Sequence, residues 1–279
     1  MHLVTGATGN IGSAVLAALR DAGQPVRALF RSDPGPVPHG VVAVTGDLDQ
    51  PETLAPAFDG VRGVFLLPGY ADMPGLVRLA ERAGAHVVLL SGPSAGSGDR
   101  ANAVTEYMLR SEDAARDGDV PWTILRPNGF MSNVFRWTPQ LAGGDVVRLP
   151  FPDVPVACID PADIAAVAAA ALTGEGHDAA TYRLSGPEAL RPADQVAVVG
   201  EVLGRALRFE PEPDDVARAR MLGEMPARYV AALFEFYADG HLDESTVLPT
   251  VRQVTGREPL SFRDWARRHS ADLRASADR

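Results

Sequence analysis

The sequence predicts an α/β fold, an open doubly wound parallel sheet with a smaller, mostly helical C-terminal cap. Three observations predict it. Short apolar runs such as Val61–Leu67 and His86–Leu90 alternate with amphipathic stretches, the pattern of βαβ units whose parallel sheet is covered on both faces. The chain opens on an apolar run, His2–Thr5, that leads into Gly6, Gly9 and Gly12 and then into an alanine- and leucine-rich helix, Ser13–Ala22. From about Ser185 the composition changes: residues 210–215 are acidic and proline-rich, and helical segments broken at Gly223, Gly240 and Gly256 follow.

The glycines set the first element. In a strand-turn-helix with this G-x-x-G-x-x-G spacing, Gly6 permits the tight turn, Gly9 lets backbone approach a pyrophosphate, and Gly12 brings helix and strand together. The anion then meets free N–H groups at the helix N-terminus, where the macrodipole favours negative charge. Residues 25–30 are the second strand, ending at Arg31-Ser32, and 41–44 the third, closing on Asp47-Leu48. Pro51 opens a short helix, where its missing N–H costs little. Strands at 61–67 and 86–90, with a helix at 73–83 between them, continue the alternation. A helix over 100–116 and a strand over 122–125 come next. Residues 131–141 read as helical and 154–159 as another strand. Asp160 to Asp163 opens an alanine-rich helix to Leu172, with Asp163 taken as its cap. Residues 181–184 are the last sheet strand, and the chain after Asp272 is expected to fray. The predicted division is a Rossmann-type domain over 1–185 and a helical, substrate-covering subdomain over 186–279, laid on the sheet edge where open α/β sheets bind ligands.

Composition narrows the function. The 279 residues carry a net charge of −10 and show no basic run, which argues against nucleic acid and anionic membrane as partners. All 26 basic residues are arginine, so neither a Schiff base nor a lysine general base can exist here. One cysteine, Cys158, excludes an intramolecular disulfide, and as part of an apolar strand it is expected to be buried and inert. The six histidines are scattered without metal-ligand spacing, so no metal site is expected. A strand beginning at the second residue leaves no room for a signal peptide, and the expected location is cytoplasmic, as a monomer or homodimer.

Arg31 is the most informative residue after the glycines. Dinucleotide folds selecting NAD place Asp or Glu at the end of the second strand for the ribose 2′-OH. Here Arg31 stands 19 positions after Gly12, with Ser32 beside it. A guanidinium there attracts a 2′-phosphate and so favours NADP(H). The alternative is an exposed loop arginine, with Asp33 reading NAD. Asp47-Leu48 is placed to flank the adenine, or else Asp47 only shapes a turn.

These residues carry a family resemblance. Thr5-Gly-Ala-Thr-Gly-Asn-Ile-Gly12, Val26-Arg-Ala-Leu-Phe-Arg31, Gly46-Asp-Leu48, Trp122-Thr-Ile-Leu-Arg-Pro-Asn-Gly-Phe-Met131 and Asp163-Ile-Ala165 resemble the NmrA-like group of atypical short-chain dehydrogenase/reductases. The tail Val254-Thr-Gly-Arg-Glu-Pro-Leu-Ser-Phe262 is similar to the agroclavine-dehydrogenase-like branch, the ergot-alkaloid iminium reductases. The resemblance implies that the dinucleotide lies on Gly6, Thr8, Gly9, Asn10, Ile11 and Gly12, with Arg31 holding the 2′-phosphate. Leu67, Pro68 and Ser91 would border ribose and nicotinamide, and Pro127, Asn128 and Phe130 would wall the nicotinamide and open onto substrate. The group includes reductases of quinones, cyclic imines and phenylpropanoid-type aromatics. It also includes dinucleotide binders that act as regulators or redox sensors.

One departure matters. Most short-chain dehydrogenases carry Tyr-x-x-x-Lys on the helix that here spans 100–116, but counted from Glu112 the motif positions fall on Val104 and Met108. The helix's one tyrosine, Tyr107, is followed four residues on by Ser111, and the protein has no lysine. Tyr107 is therefore expected to be a packing residue. Tyr70 and Ser91, at strand ends, are the candidate proton donors, each equally explained as a loop anchor. Asn128, Phe130, Met131, Asn133 and Trp137 are expected around the substrate, Asn128 and Phe130 foremost. The resulting expectation is an NADPH-dependent oxidoreductase moving hydride to a flat, apolar, already electrophilic small molecule. The alternative is a non-catalytic NADP(H)-binding regulator.

Overall fold

The structure, a computed structural model, describes residues 1–275. Among them the chain forms nine strands: β1 (His2–Val4), β2 (Val26–Phe30), β3 (Val41–Thr45), β4 (Gly63–Leu66), β5 (His86–Leu90), β6 (Trp122–Pro127), β7 (Val146–Leu149), β8 (Ala180–Leu184) and β9 (Arg208–Pro211). Seven of these make one sheet in the order β3-β2-β1-β4-β5-β6-β8, every pair parallel. The order reverses between β1 and β4, and a crevice at that reversal is where such sheets bind ligands.

Side chains alternate across the pleat, yet both faces of the central strands are apolar. Leu3, Val64, Leu66, Val87 and Leu89 point to one layer, and Val4, Phe65, Val88 and Leu90 to the other. That is why β4 and β5 read as unbroken apolar runs. Helices α1 (Asn10–Asp21), α2 (Ala55–Phe58), α3 (Met73–Ala83), α4 (Ala103–Asp117), α5 (Thr138–Gly143) and α6 (Pro161–Thr173) follow in chain order. The first layer is covered by α3 and α4, the second by α1 and α6, which pack against each other. Local chemistry fixes their ends. Asp72 caps α3 by accepting from Gly75 N, and Gly84 closes it in the left-handed region. Asn102 caps α4 through Val104 N and Thr105 N.

The cap comprises α7 (Pro192–Leu203), α8 (Asp214–Glu224), α9 (Ala227–Tyr237), α10 (Thr250–Thr255), α11 (Phe262–Arg268) and α12 (Ser270–Ala275). It draws on both sides of residue 185, because β7 pairs in parallel with β9 in a separate two-stranded sheet. Its core joins Met131, Trp137 and Val147 to Val196, Phe262 and Trp265.

The structure corrects five expectations. Residues 131–141 divide into a 3₁₀ segment, Met131–Trp137, and α5, which begins with Thr138-Pro139. No strand forms over 154–159. Pro155 removes a ladder donor there, and only two isolated bridges survive, Phe130 to Ile159 and Val156 to Leu190. The cap of α6 is Asp160, whose carboxylate accepts from Ala162 N. Asp163 instead sits buried in the first turn, accepting from Leu260 N and pairing with Arg257 at 2.9 Å, and so ties the C-terminal tail to the sheet domain. Gly223 lies inside the last turn of α8 rather than breaking a helix. Where fraying was expected after Asp272, residues up to Ala275 form α12, and 276–279 lie outside the described residues.

Candidate active site

The opening loop is built so that two glycines answer to the protein and one does not. Gly6 has φ +61°, and a methyl there would run into the side chain of Leu67. One at Gly12 would overlap the Gly6 carbonyl, so Gly12 is what lets α1 start against the turn. Gly9 is different: its φ of −88° suits any residue, and a Cβ there would meet only Gly6 O at 3.4 Å. Nothing in the protein requires that glycine, so the open space in front of it fits a ligand's approach. Gly9 is also the N-cap of α1, without a side-chain cap bond and without an acidic residue in the first turn. The helix therefore presents uncovered N–H groups and a positive end to an anion. Thr8, Gly9 and Asn10 are exposed around it, whereas the Ile11 side chain is buried in the α1–α6 layer, leaving only its backbone for a ligand.

From this loop a cleft of 410 Å³ runs over the ends of β2 and β3, with Gly6, Thr8, Arg31, Ser32, Leu48 and Tyr70 on its walls. Arg31 is exposed and makes no hydrogen bond or ion pair with any described residue, so its charge is open to a phosphate. Asp33 lines the same cleft, but its carboxylate accepts from Gly35 N. The Asp47 carboxylate accepts from Asp49 N, a turn bond, and Leu48 lines the cleft. Tyr70 lines this cleft, near the charges of Asp49, Arg31 and Asp47. Burial, followed by the nearby Tyr107, raises its phenol above the usual value.

The other half of the crevice lies past β4, β5 and β6. Leu67 backs Gly6, and Pro68 O accepts from Tyr107 Oη at 2.7 Å. The Tyr107 ring packs on Gly69 and edge-on to Tyr229, and Ser111 Oγ accepts from Gly69 N. Tyr107 and Ser111 thus fasten the loop after β4.

Ser91, at the end of β5, is 4% exposed and donates to Glu112 Oε1 at 2.6 Å. Glu112 is fully buried and grips Arg126 through both carboxylate oxygens, at 2.8 and 2.6 Å, with Arg116 at 2.8 Å. Burial pushes this carboxyl up, but the bonds from Arg126 and Ser91 and the two guanidinium charges outweigh it and hold it below its ordinary value. The proton of Ser91 is therefore engaged, and its oxygen is left as an acceptor. Pro127 is buried at the end of β6 beside Leu184. Asn128 is 1% exposed, donates through Nδ2 to Glu244 O, and leaves Oδ1 buried without a partner. An orphaned buried acceptor beside the expected nicotinamide wall fits an amide donor from the cofactor.

Beyond that wall, a cavity of 230 Å³ opens under the cap, lined by Phe130, Asn133, Trp137, Phe151, Cys158 and Tyr237 among others. Asn128 and Met131, expected on it, are instead buried behind it. Cys158, expected to be inert inside a strand, faces this cavity from an irregular segment, and burial pushes its thiol up to about 12. Sequence reasoning also missed Glu112 with its arginines, and the pair Tyr237 and Glu244. The only signal for the first was an acidic residue inside the 100–116 helix.

The cleft lies past the carboxyl ends of β2 and β3 and the cavity past the carboxyl end of β6, both on the same edge of one parallel sheet. The chain belongs to the NAD(P)H-binding family, whose model matches residues 6–175. It is an NAD(P)H-dependent oxidoreductase. It is 40% identical over 277 residues, 97% of this chain and 98% of the relative, to the (4-alkanoyl-5-oxo-2,5-dihydrofuran-3-yl)methyl phosphate reductase of Streptomyces griseus. It is 33% identical to the NAD(P)H azoreductase of Xenophilus azovorans, over 99% of this chain and all of that one. Agroclavine dehydrogenase of Claviceps purpurea matches more distantly, 27% over 56% of this chain and 57% of its own. Among solved structures, the NADPH complex of quinone oxidoreductase QOR2 from Escherichia coli shares the fold, with TM-score 0.78 at 19% identity over 95% of this chain and 98% of that one. No helix among the described residues is long and apolar enough to cross a membrane.

Proposed function

We propose that this reductase prefers NADPH and delivers hydride to a flat, largely apolar acceptor that is already electrophilic, without a tyrosine–lysine relay. The carrying observation is the absence of lysine from the sequence together with the engagement of three hydroxyls along the crevice. Tyr107 is tied to Pro68, Ser111 to the Gly69 amide, and the proton of Ser91 to Glu112. What remains is a shaped aromatic cavity against a rigid wall. Alignment alone can supply roughly 7–11 kcal/mol of a barrier when reacting atoms are held in register. Bound NADPH supplies the hydride. The chain's own work is to hold the dinucleotide with Arg31, Ser32, the Gly6–Gly12 loop and Leu48, to fix the nicotinamide face with Leu67, Pro68, Pro127, Asn128 and Phe130, and to exclude water under the cap.

The relatives support the acceptor class. The S. griseus reductase is named for a dihydrofuran whose ring double bond is flanked by an oxo group and an alkanoyl group, and the X. azovorans enzyme for an azo bond. The dihydrofuran double bond is polarised by its carbonyl groups before it binds. Phe130, Trp137, Phe151 and Tyr237 offer faces for such a planar group. Titration of NADPH against NADH, followed by NADPH oxidation with quinones, azo dyes and acyl-substituted butenolides, tests the proposal. Equal affinity for the two dinucleotides removes the NADPH preference, and inactivity with all three acceptor classes removes the substrate reading.

A further inference from the structure

We infer that Tyr237 of the cap is the proton donor of this reductase and that Glu244 reloads it, an inference that rests on the reductase reading of the cavity. Tyr237 lines the cavity with Phe130 and Phe151, and its hydroxyl lies 2.7 Å from Glu244 Oε2. Glu244 is 3% exposed and bound into the nicotinamide wall from several directions. Its Oε1 accepts from Gly129 N at 2.7 Å, and its carbonyl accepts from Asn128 Nδ2 and Ala157 N. Among the described residues no guanidinium is bonded to this carboxyl, in contrast to Glu112 with its two. A buried carboxylate without a cation is costly unless it takes up a proton.

The charged and titratable groups facing it are Tyr237 from α9, Cys158 from the segment before α6, Arg183 from β8 and Asp243 beside it. Burial raises the Glu244 carboxyl above its ordinary value, against the opposing bonds from Tyr237 and Gly129. In the protonated form Oε1 still accepts from Gly129, and the Oε2 proton points at the Tyr237 oxygen. The phenol proton is then free to turn into the cavity.

The step balances simply. As hydride forms the new bond on the acceptor, the Tyr237 O–H breaks and its proton neutralises the negative charge developing on the acceptor's oxygen or nitrogen. The Glu244 proton passes to the Tyr237 oxygen, and the carboxylate takes a proton back from solvent. One hydride and one proton are consumed per turnover, with no further reactant.

Two acceptors separate this role from a structural one: menadione, whose reduction develops charge on oxygen, and the 10-methylacridinium cation, which takes hydride and needs no proton. Tyr237→Phe should lower kcat with menadione by about 10²-fold or more, and leave NADPH affinity and the acridinium rate within about twofold. Glu244→Gln keeps a bond to each neighbour but cannot reload. With menadione it should be slowed in the same selective way and lose the alkaline limb of the pH profile that the wild type shows as Glu244 ionises. Equal losses with both acceptors, no loss with either, or a pH profile unchanged by Glu244→Gln overturns the proton role. So does a wild type that reduces the acridinium cation but not menadione. A wild type that binds NADPH and reduces neither acceptor instead overturns the reductase reading of the cavity, before any variant is compared.

Discussion

Replacing Arg126 with methionine tests the buried cluster behind Ser91. The methionine keeps much of the apolar stem but withdraws the two bonds that Arg126 makes to Glu112. Breaking a buried ion pair from one side costs ~3–5 kcal/mol, because the other charge is left buried. Arg116, with its side chain 32% exposed, and the Ser91 hydroxyl remain on the carboxylate, so the lower end, about 3 kcal/mol, is expected. At ~2–4 °C per kcal/mol for a chain of this size, Tm should fall by about 6–12 °C. The pH dependence has a definite sign. The folded Glu112 carboxyl lies below its ordinary value, so its stabilisation is present above the unfolded pKa and lost as pH falls through the folded one. Losing Arg126 moves the folded value upward, so the gap between wild type and variant is widest near neutrality and narrows in acid. Urea unfolding at several pH values measures it, with Glu112→Gln as the second arm of a double-mutant cycle. If Arg126→Met costs the same in the Glu112→Gln background, or if the gap ignores pH, the carboxylate is not what Arg126 stabilises.

Arg31→Ala should weaken NADPH by roughly 10–100-fold, the ~1.5–3 kcal/mol of a charged hydrogen bond, with NADH unchanged; calorimetric titration reads both, and a parallel loss for NADH refutes the 2′-phosphate role. Gly12→Ala should lower Tm and sharply weaken either dinucleotide, because the added methyl overlaps the Gly6 carbonyl and overpacking costs ~1–3 kcal/mol; a variant with normal Tm and normal binding would show that the loop yields freely. Tyr107→Phe removes one hydrogen bond to Pro68 and should cost ~1 kcal/mol of stability, with kcat for menadione within about threefold of wild type; a loss of ~10²–10⁴ would restore Tyr107 as an acid.

The difference between the legible and the illegible residues is one of range. The glycine loop, the arginine ending β2 and the apolar strands report on neighbours within a few positions, and the folding rules that bind them are local. Pattern therefore fixed the sheet, its parallel sense and the cofactor edge. It failed where proline competes with apolarity: Val154–Ile159 looks like a strand until Pro155 is counted as a missing donor. It failed again at Asp160 and Asp163, because either aspartate suits a helix start, and only the tail around Arg257 and Leu260 decides which one caps and which one clasps. The hydrogen bonds of Glu244 to Asn128 and Gly129 span 116 and 115 positions, so no periodicity within either segment could announce them. A reductase without lysine must take any proton from some other acidic group, and here Tyr107, Ser111 and Ser91 are engaged in structural bonds. The cap, which a sequence reading treats as a lid, is the element that places a phenol on the cavity wall and a buried carboxyl behind it. A substitution in α9 should therefore alter chemistry as well as access, whereas a simple lid would change access alone.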